Sequence, residues 1–267
     1  MPGAGAWTVP GRVGEPGTDG PKGQSPFVWS VIGAIAQACD LPIVTAVTCP
    51  TVRIHPAIIA QAAATSAVMT NGRFTLGVGT GENLNEHVLG DRWPHEGAHY
   101  EVDRARIYTL PDEPPPIFVS AFGPRALEVA ARIGDGFITT TPDGGMLARF
   151  RELAGGNLPA KAGTKCCYAP TEQEAVEQAH RLWANGGIPD EIAQELPTPQ
   201  HFEQASQLVT TESTARSVPC GPDPTVHVDN LPPFVEAGFD EVYVANMGPH
   251  YRDAIRLYAE QVLPELR

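Results

Sequence analysis

No apolar run in this 267-residue chain approaches the ~18 residues of a membrane-spanning helix, and the N-terminus has no basic stretch followed by an apolar one. Neither a membrane protein nor an exported one is expected. Cysteine is scarce and lacks paired spacing. Cys39, Cys49, Cys166, Cys167 and Cys220 form an odd set of 5 with no C-x-x-C, which suits neither a disulfide framework nor a zinc site, so a reducing cytoplasm is the expected setting. Positive charge is short as well: 18 Lys and Arg face 31 Asp and Glu, a net charge of −13, which argues against nucleic acid or an anionic membrane as partner. A diffuse negative field does not stop a local nest of N–H groups or two arginines from holding an anionic small molecule. His87, His95 and His99 lack the i, i+4 spacing of ligands on one helix, so no metal is expected.

What is present reads as alternating strand and helix. Residues 1–23 carry glycine and proline too densely for either element and are expected to be disordered, leaving 24–267 as one domain. Continuous or alternating apolar runs predict six strands: Leu41 to Thr48, Phe74 to Val78, Ile117 to Ala121, Gly136 to Thr140, Lys165 to Ala169 and Glu241 to Asn246. Helices are expected from Ser25 or Pro26 to Ala38, Pro56 to Met69, Glu82 to Leu89, Pro124 to Ile133, Met146 to Leu153, Thr171 to Trp183, in pieces over 189–217, and at Leu231 to Ala237 and Arg252 to Leu266. Tyr100-Glu101-Val102 and Arg106-Ile107-Tyr108 resemble a hairpin. Adjacent Cys166 and Cys167 should point to opposite faces of their strand, with at most one in the core. Repeated β-then-α units imply right-handed crossovers and a parallel sheet, two strands short of a closed (β/α)8 barrel.

In a parallel sheet the strand C-termini share one rim, and here each carries small or hydroxylic residues. They are Val47-Thr48-Cys49-Pro50-Thr51, Gly79-Thr80-Gly81-Glu82, Ser120-Ala121-Phe122-Gly123-Pro124, Thr139-Thr140-Thr141 and Asn246-Met247-Gly248-Pro249. Such convergence suits a large planar cofactor with polar edges. Glycines at Gly79 and Gly81 let backbone approach a ligand, although the same turn serves simply to reverse the chain. Phe122-Gly123-Pro124 opens a helix whose N-terminal N–H groups and dipole favour an anion such as phosphate, or it is a plain proline-started helix. Glu82 is either a site acid or a carboxylate drawn to a helix N-terminus. Asn85, one turn on, can reach a ring edge or solvent, and His55 before Pro56 reads as a helix cap.

The segments Val47 to Thr51, His55 to Ala62, Gly77 to Glu86 and Gly134-Asp135-Gly136-Phe137 closely resemble the luciferase-like (β/α)8 oxidoreductases. Within them the similarity is to the branch that uses the deazaflavin coenzyme F-420, typified by its glucose-6-phosphate dehydrogenases. The resemblance implies an α/β fold, a TIM barrel of the luciferase-like type, here with about six strands. It also implies hydride transfer between F-420 and an alcohol or carbonyl substrate. Val47 would sit at a backbone bulge behind the deazaflavin, with Thr80, Gly81 and Asn85 touching the cofactor and Glu82 as the acid near the ring. Phe122 and Gly123 would offer N–H groups to its phosphate, and Thr140, Arg216 and Arg252 would face the substrate.

Three departures qualify that reading. The family's catalytic histidine lies in an N-terminal βαβ unit, whereas no histidine precedes His55 here. The long helix expected between the Gly-Glu strand and the hairpin is cut short, Trp93-Pro94 passing almost directly to His99-Tyr100. Asp143 replaces the phosphate-binding lysine of the sugar-phosphate dehydrogenases. The alternatives are therefore an FMN-dependent monooxygenase of the same superfamily and a truncated remnant or interaction protein without activity. A homodimer is the expected assembly, if any.

Overall fold

The computed structural model of the chain describes residues 27–50, 54–81, 83, 87, 100, 102 and 104–266. Six parallel strands form one sheet in sequence order: β1 (Ile43–Val44), β2 (Phe74–Val78), β3 (Ile117–Ser120), β4 (Gly136–Thr139), β5 (Ala160–Cys166) and β6 (Glu241–Asn246). Helices return the chain between strands: α1 (Val28–Ala38) leads into β1, α2 (Pro56–Met69) follows it, and α3 (Pro124–Ile133) and α4 (Gly144–Ala154) follow β3 and β4. After β5 come α5 (Glu172–Trp183), α6 (Asp190–Glu195), α7 (Pro199–Ser206), α8 (Thr211–Ser217), α9 (Pro224–Val228) and α10 (Pro232–Ala237). After β6, α11 (Tyr251–Leu257) runs into a π turn over Tyr258–Val262 and a 3-10 turn over Leu263–Leu266. This is the incomplete parallel β/α barrel of about six strands expected from the sequence.

Local chemistry sets most boundaries. Pro56 and Pro124 occupy first helical positions, where a missing N–H costs nothing, and Asn71 and Gly72 turn left-handed to end α2. Thr171 Oγ1 accepts from Glu174 N at 3.2 Å and opens α5, as its spacing predicts. Strand starts are pinned by carboxylates: Asp135 Oδ2 accepts from Ile117 N at 2.8 Å and Asp240 Oδ2 from Ala160 N at 2.7 Å. The Gly-Asp-Gly motif before β4 is thus a sheet staple.

One sheet face packs on the helices. Phe137 and Phe150, with ring centroids 5.2 Å apart and no exposed surface, centre the α3–α4 layer, while Phe74 and Leu76 meet Ile32 and Ile59 of α1 and α2. On the inner face the Phe118 ring lies across Gly136, where any side chain would collide with it, and reaches the Lys161 ammonium on β5, 4.9 Å from the ring centre. Lys161 is neutralised by Glu241 at 3.1 Å and hydrogen-bonds Tyr243 Oη at 3.0 Å. The half-buried ammonium is tolerated because Glu241, 47% exposed at the strand start, supplies the counter-charge and Tyr243 a hydrogen-bond partner.

The structure corrects four expectations. The first strand is not continuous from Leu41 to Thr48: only Ile43–Val44 is ladder, with Thr48 bridging Val78 separately. The fifth begins at Ala160 and ends at Cys166, several residues before the expected span. Arg106–Tyr108 is not a strand, and its supposed partner at Glu101 lies outside the described residues. Cys166 and Cys167 are both buried, at 1% and 0% exposure, because helices cover one face of that strand end and residues 168–219 the other. The segments 1–23 and 84–99, with the expected helix to Leu89, lie outside the described residues apart from His87.

Burial pushes the thiols of Cys166 and Cys220 up to about 12 and that of Cys167 to about 11. They stay protonated and shielded at pH 8, and the thiolate is the reactive form. Ellman's reagent is therefore expected to count two thiols in the native protein, the partly exposed Cys39 and Cys49, and all five after denaturation. In the core, Phe137→Ala should lower unfolding free energy by about 3–5 kcal/mol in a denaturant titration.

Candidate active site

The rim is organised by a bulge between β1 and β2. After Val44 the ladder is interrupted: the Thr45 hydroxyl donates to Gly77 O at 3.1 Å and accepts from Gly77 N at 2.9 Å, standing in for a backbone pair. The chain then loops outward through a cis Ala46–Val47 peptide and rejoins β2 where Thr48 N donates to Gly77 O at 2.7 Å and Gly79 N to Thr48 O at 3.0 Å. Gly77 is obligatory because a Cβ there would overlap the Thr45 carbonyl oxygen. One on Gly79 would sit 2.7 Å from Val47 Cγ2. These two glycines make room for the bulge, a packing role that the sequence did not signal at Gly77 and that adds to the ligand approach expected of Gly79. Gly81, at φ 89°, makes the turn itself.

Val47 stands on this bulge with 39% of its surface exposed, and Phe122 beyond β3 is 58% exposed. Because β2 and β3 are neighbours in register Val78↔Val119, the turns at Thr80–Gly81 and Phe122–Gly123 open on the same rim. Gly123 is the N-cap of α3 with no side-chain cap and nothing within 4 Å of where a Cβ would stand. The N–H groups of Arg125 and Ala126 therefore have no side-chain acceptor and border open space. At the neighbouring helix the opposite holds: Asp143 Oδ1 accepts from Met146 N at 2.9 Å and fills the α4 N-terminus with a carboxylate. Thr139 is buried and accepts from Thr141 N, leaving Thr140 exposed at the rim.

Residues 168–219 form an excursion from that rim. The chain leaves at Cys167 and returns at Cys220, the two residues paired in a parallel bridge. Its base is apolar, Ala169, Ala175, Ala179 and Val218 packing on both cysteines. From there it touches the loop after β6, where Gln178 Nε2 donates to Met247 O at 3.1 Å and Glu174 Oε1 lies 3.5 Å from His250 Nε2. At its far side Asn83 Nδ2, just after the β2 turn, donates to Glu195 O at 2.6 Å. The excursion thus spans the mouth from the β6 side to the β2 side. On β5 itself, Lys165 Nζ lies 4.0 Å from the Trp183 ring centre, a cation–π contact at the end of α5.

The structure brings Val47, Thr80, Gly81, Phe122, Gly123 and Thr140 to one rim. Arg216 on α8 and Arg252 at the start of α11 are exposed, and no hydrogen bond or ion pair joins them to each other or to Thr140 among the described residues. Glu82 and Asn85 lie outside the described residues. The sequence reading missed the His250–Glu174 pair, which no local spacing signals. Among the described residues no cluster of three or more His, Cys, Asp or Glu side chains could hold a metal, and no helix is long and apolar enough to cross a membrane.

Parallel strands, returning helices and an open C-terminal rim define a β/α-barrel protein with its site at the strand ends. The sequence profile of the luciferase-like monooxygenase family matches residues 6–96 and 88–241, and the chain belongs to that family. It is similar to an F-420-dependent glucose-6-phosphate dehydrogenase of Beutenbergia cavernae, 32% identical over 286 residues covering 92% of this chain and 84% of that enzyme. An F-420-dependent hydroxymycolic acid dehydrogenase of Mycobacterium tuberculosis is 30% identical, with 92% and 76% covered. A solved F-420-dependent secondary alcohol dehydrogenase, in complex with an F-420–acetone adduct, has a TM-score of 0.80 at 25% identity, covering 91% of this chain and 85% of that one.

The bulge gives a direct test of how the rim is built. Gly77→Ala forces the Thr45 carbonyl aside and should cost about 1–3 kcal/mol of unfolding free energy, with Gly72→Ala as a control that meets no atom but strains a positive φ. A Gly77→Ala protein as stable as the parent would mean the bulge does not depend on that glycine.

Proposed function

We propose that the chain is an F-420-dependent oxidoreductase that moves hydride between the deazaflavin and an uncharged alcohol or carbonyl compound. The observation that carries this reading is the uncapped, open helix N-terminus at Gly123 on the same rim as the exposed Val47 bulge. A planar ring with a phosphate-bearing tail fits such a rim: apolar bulge for the ring, free N–H groups for the anion. Val47 would support the ring from behind, with Thr80 and Gly81 at its polar edge. Phe122 and Gly123 would frame the phosphate, which the Arg125 and Ala126 amides receive. Asn85 and Glu82 complete the set as ring contact and acid. When bound, the cofactor supplies the hydride acceptor; the protein binds, orients and excludes water.

Substrate class follows from Asp143. Its carboxylate occupies the α4 N-terminus beside Thr140, so the dipole there is already answered and a phosphate dianion would meet like charge. The relative in Mycobacterium tuberculosis acts on hydroxymycolic acid and the solved neighbour on secondary alcohols, and both agree with a hydroxyl substrate that carries no phosphate. Thr140, Arg216 and Arg252 are assigned to the substrate side.

Titration of F-420 into the purified protein, followed by its absorbance and fluorescence, tests the reading. Saturable binding is expected, and Gly123→Ala should weaken it about tenfold while costing under about 1 kcal/mol of stability, since the added methyl fills only the ligand's space. Preferential binding of FMN would turn the reading towards a monooxygenase, and binding of neither would end it. With F-420 bound, a simple secondary alcohol is expected to be oxidised and glucose 6-phosphate is not; turnover of the sugar phosphate would overturn the role given to Asp143.

A further inference from the structure

An alcohol that gives up hydride must also lose its hydroxyl proton, so the reading above requires a base at the rim. Most of the histidines described are committed elsewhere. His55 Nδ1 accepts from Ala57 N at 3.1 Å and its ring packs 4.4 Å from Tyr100, so the neutral ring carries its proton on Nε2 and has no free lone pair. His180 Nε2 is 2.7 Å from Val209 O inside the excursion. His227 is fully buried and uses both nitrogens, on Gly221 O and Tyr258 Oη, and His87 and His201 are exposed.

His250 differs. It follows β6 on the loop through Gly248, whose φ of 95° and missing side chain let Gln178 of α5 pack against it, and its side chain is 29% exposed. Nε2 faces Glu174 Oε1 at 3.5 Å, and Nδ1 has no partner among the described residues. A carboxylate on one ring nitrogen fixes the proton there, directs the lone pair to the other and stabilises the imidazolium when it forms. The groups facing the ring from other elements are Glu174 on α5 and Tyr168 after β5, at 6.5 Å between ring centroids; Arg252 and Asp253 follow on its own helix.

We propose that His250, held by Glu174, is the general base of the alcohol oxidation. The proposal rests on the function given above. The substrate O–H bond breaks to His250 Nδ1, its electron pair forms the C=O bond, and the carbinol hydrogen leaves as hydride to the bound cofactor. The excursion thereby contributes to the chemistry, since Glu174 stands on its first helix.

Long-range proton–nitrogen spectra of the histidine-labelled chain, with no cofactor added, are expected to show His250 as the Nε2–H tautomer, becoming a mixture in Glu174→Gln. An Nδ1–H tautomer in the parent would overturn the proposal. In turnover of a secondary alcohol, kcat/KM of the parent should show an acid limb that is absent from His250→Gln. His250→Gln should lose about 10²–10⁴ in kcat while binding F-420 within twofold of the parent. Retention of kcat within threefold, or an unchanged acid limb in that variant, refutes the assignment. If His250→Gln does not fold, the tautomer and the parent's own pH profile decide. Failure to bind F-420 at all would end the proposed function, whereas binding without alcohol oxidation would overturn the base alone.

Discussion

Most of the rim depends on one exchange of partners, the Thr45 hydroxyl taking both the N–H and the C=O of Gly77. That exchange releases the chain from the sheet for three residues and lets it rejoin at Thr48 one residue out of the earlier register, Val44 lying opposite Thr75 but Thr48 opposite Val78. A buried break in a ladder would normally leave polar groups unanswered at a cost of about 1–3 kcal/mol each. Here the Thr45 hydroxyl answers the N–H and shares the C=O with Thr48 N. Val47 is then presented to the mouth rather than to the core, and Gly79 keeps the next strand out of its way. A threonine, two glycines and a valine, 32 residues apart at the extremes of contact, act as one unit.

The helices were legible because their signals are local. Proline at the first position set the starts of α2 and α3, Asn-Gly the end of α2, and the Thr171 cap the start of α5. The strands were legible in number and, for Glu241–Asn246, in extent. Misplaced ends trace to non-local causes. Leu41 to Thr48 is a β-prone run whose only polar residues are Thr45 and Thr48, so nothing in it announces that Gly77 interrupts the pairing. Ala160–Cys166 reads Ala-Lys-Ala-Gly-Thr-Lys-Cys, small and charged rather than β-like, because Lys161 and Lys165 meet Phe118 and Trp183 on other elements. Composition alone cannot show that those partners exist.

The site divides the same way. Phe122-Gly123-Pro124 is a local motif and behaves as one, an open helix start at the rim. The Gly-rich turn after β2 was legible, but the packing of its Gly79 against the Val47 bulge was not. Glu174 and His250 stand 76 positions apart and meet only because the excursion folds back over β6. No spacing rule brings a helix residue of one loop to the end of another.

The bridge between Cys167 and Cys220 makes residues 168–219 topologically separable from the barrel. Entry and exit lie on adjacent, hydrogen-bonded positions, so this piece can lengthen, shorten or be exchanged without altering the registration of any strand. A lineage built on such a chassis can diversify what reaches the mouth while the strand ends beneath it stay fixed. Recombination between relatives at these two cysteines would be the natural cut points for grafting one enzyme's selectivity onto another's scaffold.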